Sequence, residues 1–236
     1  MTEIKKFTTY FVNGYIVKDD KTIMFDTGAL FEPEQLPGVL DELGVSAEDI
    51  EYIVISHAHY DHCMLAKAWK EMTGAKIICH EKTAEALRDG NAQGRFQYGP
   101  KCYDYDKAYY NFMEETTPPT IPTVEPDIVF GDEGLDMHPY GINGKIIHTP
   151  GHDDSHIALV LDNRTALTGD SVYDLHDVGC FTEDPRFPEG SYSLNWICTD
   201  EELLKDSVRK ILEGADIFYG GHGAPMSRDV VEPLVK

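Results

Sequence analysis

Basic residues are scarce: 20 Lys and Arg stand against 42 Asp and Glu in 236 residues, a formal net charge of -22. Binding to a phosphate backbone draws its affinity from clustered Lys and Arg that neutralise phosphates and release counterions. No basic run occurs here, so nucleic acid is not an expected partner. An anionic membrane surface is repelled for the same reason. Cysteine is sparse too. The five present (Cys63, Cys79, Cys102, Cys180, Cys198) are odd in number, scattered and without a C-x-x-C pair. That pattern reads as reduced thiols in a cytoplasmic protein and excludes a disulfide framework or a zinc finger. Long apolar runs are missing: none approaches membrane-spanning length, and the opening MTEIKKFTTYFVNGYIV has neither the apolar core nor the cleavage site of a signal peptide. The rest, 42% hydrophobic and 26% charged, is the composition of a globular chain able to bury a sizeable core.

Strands are expected at Thr8–Val17 and Thr22–Phe25, joined as a hairpin through Lys18-Asp19-Asp20-Lys21. A helix over Pro33–Leu43 should stop at Gly44, and Ile53-Val54-Ile55 reads as a buried strand. An amphipathic helix over Asp61–Met72, a strand at Lys76–Cys79 and a helix at Lys82–Arg88 follow. Further strands are expected at Ile128–Phe130, Gly134–Met137, Lys145–His148, Ala158–Leu161 and Ala166–Leu167. A helix over Asp200–Leu212 and a strand at Ile217–Tyr219 close the pattern. The order is β-rich then helical, twice.

Residues 91–122 interrupt it. Phe96, Tyr98, Tyr103, Tyr105, Tyr109, Tyr110 and Phe112 place seven of the 25 aromatics in seventeen positions. They form either a helical insertion packed on the body or a lid whose aromatic face lines a substrate pocket. The Pro-rich stretch Thr116–Pro126 could pass for a linker, but the motifs below draw on both sides of it, so a single domain over 1–236 is expected. Asp174–Asn195 is expected as a long loop and a second lid candidate.

The chemistry concentrates in Ser56-His57-Ala58-His59-Tyr60-Asp61-His62, four potential ligands within six residues directly after a strand. An H-x-H pair past a strand end lets two imidazoles converge on one ion, and the following Asp-His can turn toward a second. Neutral imidazoles with a carboxylate suit a borderline cation such as Zn²⁺. Three later pieces fit: Thr149-Pro150-Gly151-His152, Leu167-Thr168-Gly169-Asp170 and Gly220-Gly221-His222-Gly223. Each lies where an expected strand meets a glycine-containing loop.

On these motifs the chain resembles the metallo-β-lactamase superfamily over nearly its full length. The resemblance implies an α+β fold, a four-layer αββα sandwich with the site at one edge of the paired sheets. It implies that His57, His59 and His152 hold one metal, that Asp61, His62 and His222 hold a second, and that Asp170 bridges them. The ions would be two divalent cations, zinc first, with iron or manganese as alternatives. Asp26, in Asp26-Thr27-Gly28, matches a family position that supports a ligand histidine.

Within the superfamily, diiron flavoproteins carry Glu where His59 stands, and true β-lactamases generally lack the bridging Asp. The resemblance therefore points to the branch of glyoxalase II-like thioesterases and N-acyl-homoserine lactonases. Full-length glyoxalase II adds a helical domain after its last ligand, whereas fourteen residues follow His222 here, which weighs against glutathione thioesters. His152-Asp153-Asp154-Ser155-His156 keeps the spacing of a lactonase motif, and Asp170-Ser171-Val172-Tyr173 keeps the lactonase tyrosine. The expected activity is hydrolysis of a small-molecule ester, a lactone or thioester, by hydroxide held between the metals. Asp170 or Asp61 would carry the proton and Tyr173 would assist the oxyanion. A small-molecule phosphodiesterase and an iron-binding redox or sensor protein are the alternatives. Of the other histidines, His80, His138 and His148 read as structural, His156 as a supporting residue and His176 as able to reach the site. Cys63 reads as a buried thiol.

Overall fold

Period-two alternation builds the first half of the chain. In β4 (Ile50–Ile55), Ile53 and Ile55 join one apolar cluster and Val54 another. β5 (Lys76–His80) repeats this with Ile77 and Cys79 against Ile78. Both faces of these strands are covered. The structure, a computed structural model, describes residues 2–9, 11–29, 33–91, 120–177 and 185–236. Most of the aromatic 91–122 segment therefore lies outside the described residues.

The first sheet runs β1 (Glu3–Thr9), β2 (Val12–Lys18), β3 (Thr22–Phe25), β4, β5, β6 (Ile128–Phe130), with β1–β3 antiparallel and β3 to β6 parallel. The second contains β7 (Leu135–Asp136), β8 (Gly144–His148), β9 (Ile157–Leu161), β10 (Thr165–Gly169), β13 (Ile217–Gly220) and β14 (Met226–Ser227), in the order β14-β13-β10-β9-β8-β7. Between β10 and β13 in sequence, β11 (Val172–Asp174) and β12 (Tyr192–Leu194) pair as a separate antiparallel ribbon.

Three apolar clusters separate four layers. Leu36 and Leu40 of α1 (Leu36–Leu43), Trp69 of α3 (Ala66–Thr73) and Leu87 of α4 (Glu81–Asp89) cover the outer face of the first sheet. Tyr15, Phe25, Val54 and Ile78 meet Ile146, Leu159, Leu161 and Leu167 between the sheets. Leu204, Val208 and Ile211 of α5 (Glu201–Gly214) cover Ala158, Val160 and Phe218 on the far side. The αββα sandwich is thus present. The Asp200 side chain caps α5 by accepting from the Leu203 N–H at 3.0 Å. Among the described residues no helix is long and apolar enough to cross a membrane.

Three local expectations need correction. Thr8–Val17 is not one strand: β1 ends at Thr9, which pairs with Val12 of β2, so the apolar run folds back on itself. The Asp61–Met72 helix is broken. α2 (Tyr60–Cys63) turns the metal motif, and α3 starts afresh after Leu65, whose φ of -93° and ψ of 6° leave the helix. The change of axis lets Trp69 bury itself and donate its indole N–H to Thr27 O at 3.0 Å. The Asp174–Asn195 loop contains β12, which returns to pair with β11.

Candidate metal centre

The ends of β4, β8, β10 and β13 deliver the motif residues to one edge of the sandwich. Among them, the His57 Nε2, His59 Nδ1 and His152 Nε2 atoms form a triangle with sides of 3.0, 2.9 and 3.1 Å. Two outer nitrogens are tied down. Ser56 Oγ donates to Asp26 Oδ2 at 2.8 Å and so accepts from His57 Nδ1 at 2.9 Å. His152 Nδ1 donates to Ile197 O. The protons of these two rings are thus outside the triangle and their lone pairs inside it. Burial keeps both neutral: it holds His57 well below its ordinary pKa and His152 down at about 3, with the neighbouring histidines adding to the effect. The inward lone pairs of His57 and His152, 3.1 Å apart, repel unless a shared cation accepts them, and His59 Nδ1 faces both. This donor set fits a divalent metal.

A second group lies alongside. His62 Nδ1 donates to Asp26 Oδ2 at 2.9 Å and His222 Nδ1 to Phe11 O at 3.0 Å, so both Nε2 atoms turn inward. His222 Nε2 is 3.2 Å from Asp170 Oδ2 and 3.5 Å from Asp61 Oδ2. His62 Nε2 is 3.1 Å from Asp170 Oδ1, yet neither of these buried atoms makes a hydrogen bond. Such aimed but unbonded polar atoms are what a ligand set for an ion presents. Asp170 stands between the groups, with Oδ2 also 3.6 Å from His152 Nε2. Burial pushes His62 and His222 down, but the surrounding carboxylates, Asp170 foremost and Asp61 with it, together hold both above the ordinary histidine value. Burial raises Asp61, whereas His222 and His62 overcome burial at Asp170 and hold it well below the carboxylate range. The pocket attracts positive charge.

The loop carrying His222 approaches closely. A Cβ on Gly221 would meet Asp170 Oδ1 at 2.3 Å and His62 Cε1 at 2.6 Å, so glycine is required. Strand β2 holds this loop from below: Asn13 Nδ2 donates to Gly223 O at 2.9 Å and Tyr15 Oη to Gly220 O at 2.5 Å.

All seven motif residues therefore meet in three overlapping groups, His57, His62 and Asp170 joining the other two. Tyr173, on β11, sets its ring edge-on to His222 with centroids 6.2 Å apart, and its hydroxyl donates to Asn195 Oδ1 at 3.4 Å. His156 supports Asp170: its Nδ1 donates to Thr149 O at 3.1 Å, and its Nε2 accepts the Asp170 N–H at 3.0 Å. Cys63 Sγ donates to His59 O at 3.2 Å. His176 Nδ1 donates to Phe187 O at 2.9 Å, and His176 belongs to neither ligand group. His138 bridges Asp136 and Asp162. His80 and His148 share Asp132 Oδ1 at 3.0 and 3.2 Å with rings stacked. There His80 Nδ1 accepts from Lys82 N at 3.3 Å, which leaves its proton on Nε2 and argues against an ion. Sequence reasoning did not find Asn195, nor the Ile197 and Phe11 carbonyls. A backbone acceptor has no residue signature, and Asn195 looked like the end of a loop.

The profile of the Metallo-beta-lactamase superfamily matches residues 7–197. The chain is similar to Hydroxyacylglutathione hydrolase GloC of Haemophilus influenzae, 26% identical over 228 residues, spanning 94% of this chain and 90% of that protein. It is 27% identical to Hydroxyacylglutathione hydrolase of Pelagibacter ubique, spanning 81% of this chain and 59% of that one. Among solved structures, an archaeal metallo-beta-lactamase superfamily protein from Sulfolobus tokodaii superposes with a TM-score of 0.67 at 18% identity, covering 100% of this chain and 85% of the other. At that identity the likeness speaks for the fold alone.

Proposed function

The chain belongs to the metallo-beta-lactamase superfamily, and on that premise we propose that it hydrolyses a carboxylic ester bond of a small molecule, a thioester first and a lactone second. The observation that carries this reading is the inward convergence of three imidazole nitrogens on one point, with Asp170 leading to a second group beside it. His57, His59 and His152 would hold one divalent ion, Asp61, His62 and His222 another, and Asp170 would touch both. Bound there, such ions supply Lewis acidity toward a carbonyl oxygen and a water acidic enough to ionise near neutrality.

The chain's own groups supply the rest. Asp26, Ser56 and the Ile197 and Phe11 carbonyls fix the ligand tautomers before substrate arrives. Asp170 or Asp61 holds and returns the proton exchanged during hydrolysis. The Tyr173 hydroxyl, on a ring edge-on to His222, would donate to a developing oxyanion. The thioester stands first because two relatives carry the name hydroxyacylglutathione hydrolase. One of them is matched over 90% of its length, so the fourteen residues after His222 do not count against that substrate. The lactone stands second on the position of Tyr173 after Asp170.

Metal analysis of the purified protein with a panel of thioester, lactone, β-lactam and phosphodiester substrates tests the reading. Two ions per chain are expected, with kcat/KM for a thioester or lactone about 100-fold or more above that for bis(p-nitrophenyl) phosphate. Faster phosphodiester turnover would replace the ester by the phosphodiesterase reading. Bound iron with a coloured protein and no esterase activity would point to a redox or sensor role.

A further inference from the structure

We infer that Asn195 is a positioning residue that orients the Asp170 carboxylate and the Tyr173 hydroxyl through the two ends of one buried amide. The inference about Tyr173 rests on the ester-hydrolase reading; the inference about Asp170 does not.

Asn195 is 3% exposed and immediately follows β12. Its Oδ1 accepts from the Ile197 N–H at 2.8 Å. A backbone N–H only donates, so the amide atom facing it is the oxygen, and the other end is the NH₂. That NH₂ donates to Asp170 Oδ2 at 3.2 Å. Oδ2 is also the oxygen that faces His222 and His152. The donated hydrogen bond therefore fixes the plane of the one carboxylate shared by both ligand groups. At the other end, Oδ1 accepts from the Tyr173 hydroxyl at 3.4 Å. This is the longer of the two bonds to Oδ1, and a long bond is cheap to exchange for one to a substrate oxygen. Asn195 thus aims the hydroxyl without trapping it.

The surroundings make the amide necessary. The Asn195 N–H donates to Ser171 O at 3.2 Å, beside Asp170. Two residues on, Ile197 O accepts from His152. The turn at 195–197 therefore touches Asp170, Tyr173 and His152 together. Its other side lines a cleft of about 180 Å³ with Leu194, Trp196, Cys198 and Leu234.

Three variants separate the two ends of the amide. Asn195→Asp is isosteric and keeps Oδ1 for Ile197 and Tyr173, but sets a second carboxylate oxygen where the donor to Asp170 stood. Tyr173→Phe removes only the hydroxyl. Asn195→Ala removes both arms. Metal retention is read by chelator titration, kcat and KM by steady-state kinetics, and folding by thermal melting. Asn195→Asp should lose metal affinity about 10- to 100-fold with a melting curve close to the parent when both are metal-loaded. Tyr173→Phe should lower kcat about 10- to 100-fold with KM and metal retention unchanged. Asn195→Ala should show both effects, and adding Tyr173→Phe to it should lower kcat no further, because a shared pathway is non-additive. Unchanged metal retention in Asn195→Asp overturns the Asp170 arm. Kinetic effects of Asn195→Ala and Tyr173→Phe that multiply overturn the Tyr173 arm. If Asn195→Ala does not fold, Asn195→Ser, which also removes both arms, takes its place: parental chelator resistance overturns the Asp170 arm, and a kinetic effect that multiplies with that of Tyr173→Phe overturns the Tyr173 arm. Because chelator titration needs no turnover, a parent enzyme inactive on esters would refute the functional reading and leave the Asp170 arm to be judged on its own.

Discussion

Asp26 has a φ of 60°, a conformation that a non-glycine residue holds only when its surroundings enforce it. Here they do. Its carboxylate accepts from Ser56 N at 2.7 Å, Ser56 Oγ at 2.8 Å and His62 Nδ1 at 2.9 Å, so one side chain at the end of β3 orients members of both ligand groups. Asp26→Ala should destabilise the fold by about 1–3 kcal/mol for each donor it orphans, read by denaturant unfolding. Asp26→Asn keeps the shape and should weaken metal retention about 10- to 100-fold. An Asp26→Asn protein with parental chelator resistance would show that the residue is structural only. At this scale the site was legible where chemistry is written in side chains: the seven motif residues and Asp26 were readable from spacing and resemblance. The Phe11 and Ile197 carbonyls were not, because any residue supplies one. Asn195 was hidden because its value depends on a return strand that only the fold creates.

The elements carrying Asp170 and His222 are the parallel strands β10 and β13, and their register is set at the end remote from the site. Arg164 forms an ion pair with Asp216 through Nε, and its Nη2 reaches Asp216 Oδ1 at 2.7 Å. Its carbonyl accepts the Asp216 N–H at 2.7 Å. Arg228 Nη1 joins at 3.4 Å while donating to Leu212 O at 2.6 Å, which ties in the end of α5. The hydrogen bond from Arg164, then the charges of both arginines, hold the Asp216 carboxyl down from 3.8 to about 2. A depressed carboxylate contributes stability that is complete above its unfolded pKa and is lost as pH falls through the folded one. Asp216→Asn should therefore lower Tm at pH 7, and the gap to the parent should narrow below about pH 4, toward closure near pH 2. A gap constant from pH 7 to about 3 would assign the effect to geometry instead of charge. Element boundaries were legible wherever the apolar pattern ran into a glycine or a cap, as at Gly44 and Asp200. They failed where one apolar run served two elements, at Thr9–Val12 and at Cys63–Ala66, because periodicity does not mark a change of direction.

Across the whole molecule, each ligand group draws on both sheets: His57 and His59 follow β4 while His152 follows β8, and Asp61 and His62 lie in α2 while His222 follows β13. A cation in either group would therefore fasten one half of the sandwich to the other. It would also relieve the repulsion between the inward nitrogens of His57 and His152, which lie 3.1 Å apart. The net charge of -22 acts differently, as diffuse self-repulsion that salt screens. The two contributions can be separated in one thermal experiment. An ion present at about 100 times its dissociation constant stabilises the folded state by about 2.7 kcal/mol, and a chain of this size shifts about 2–4 °C per kcal/mol. Removing the metal should lower Tm by about 5–10 °C, and stoichiometric readdition should restore it. Raising the ionic strength should lift Tm for both forms by relieving self-repulsion, while the gap between them stays nearly constant, since a buried cation is screened little. A melting temperature indifferent to chelation would mean that the donors hold their places without an ion. A gap that closed with salt would place the stabilisation in the acidic surface instead of the buried ligand groups.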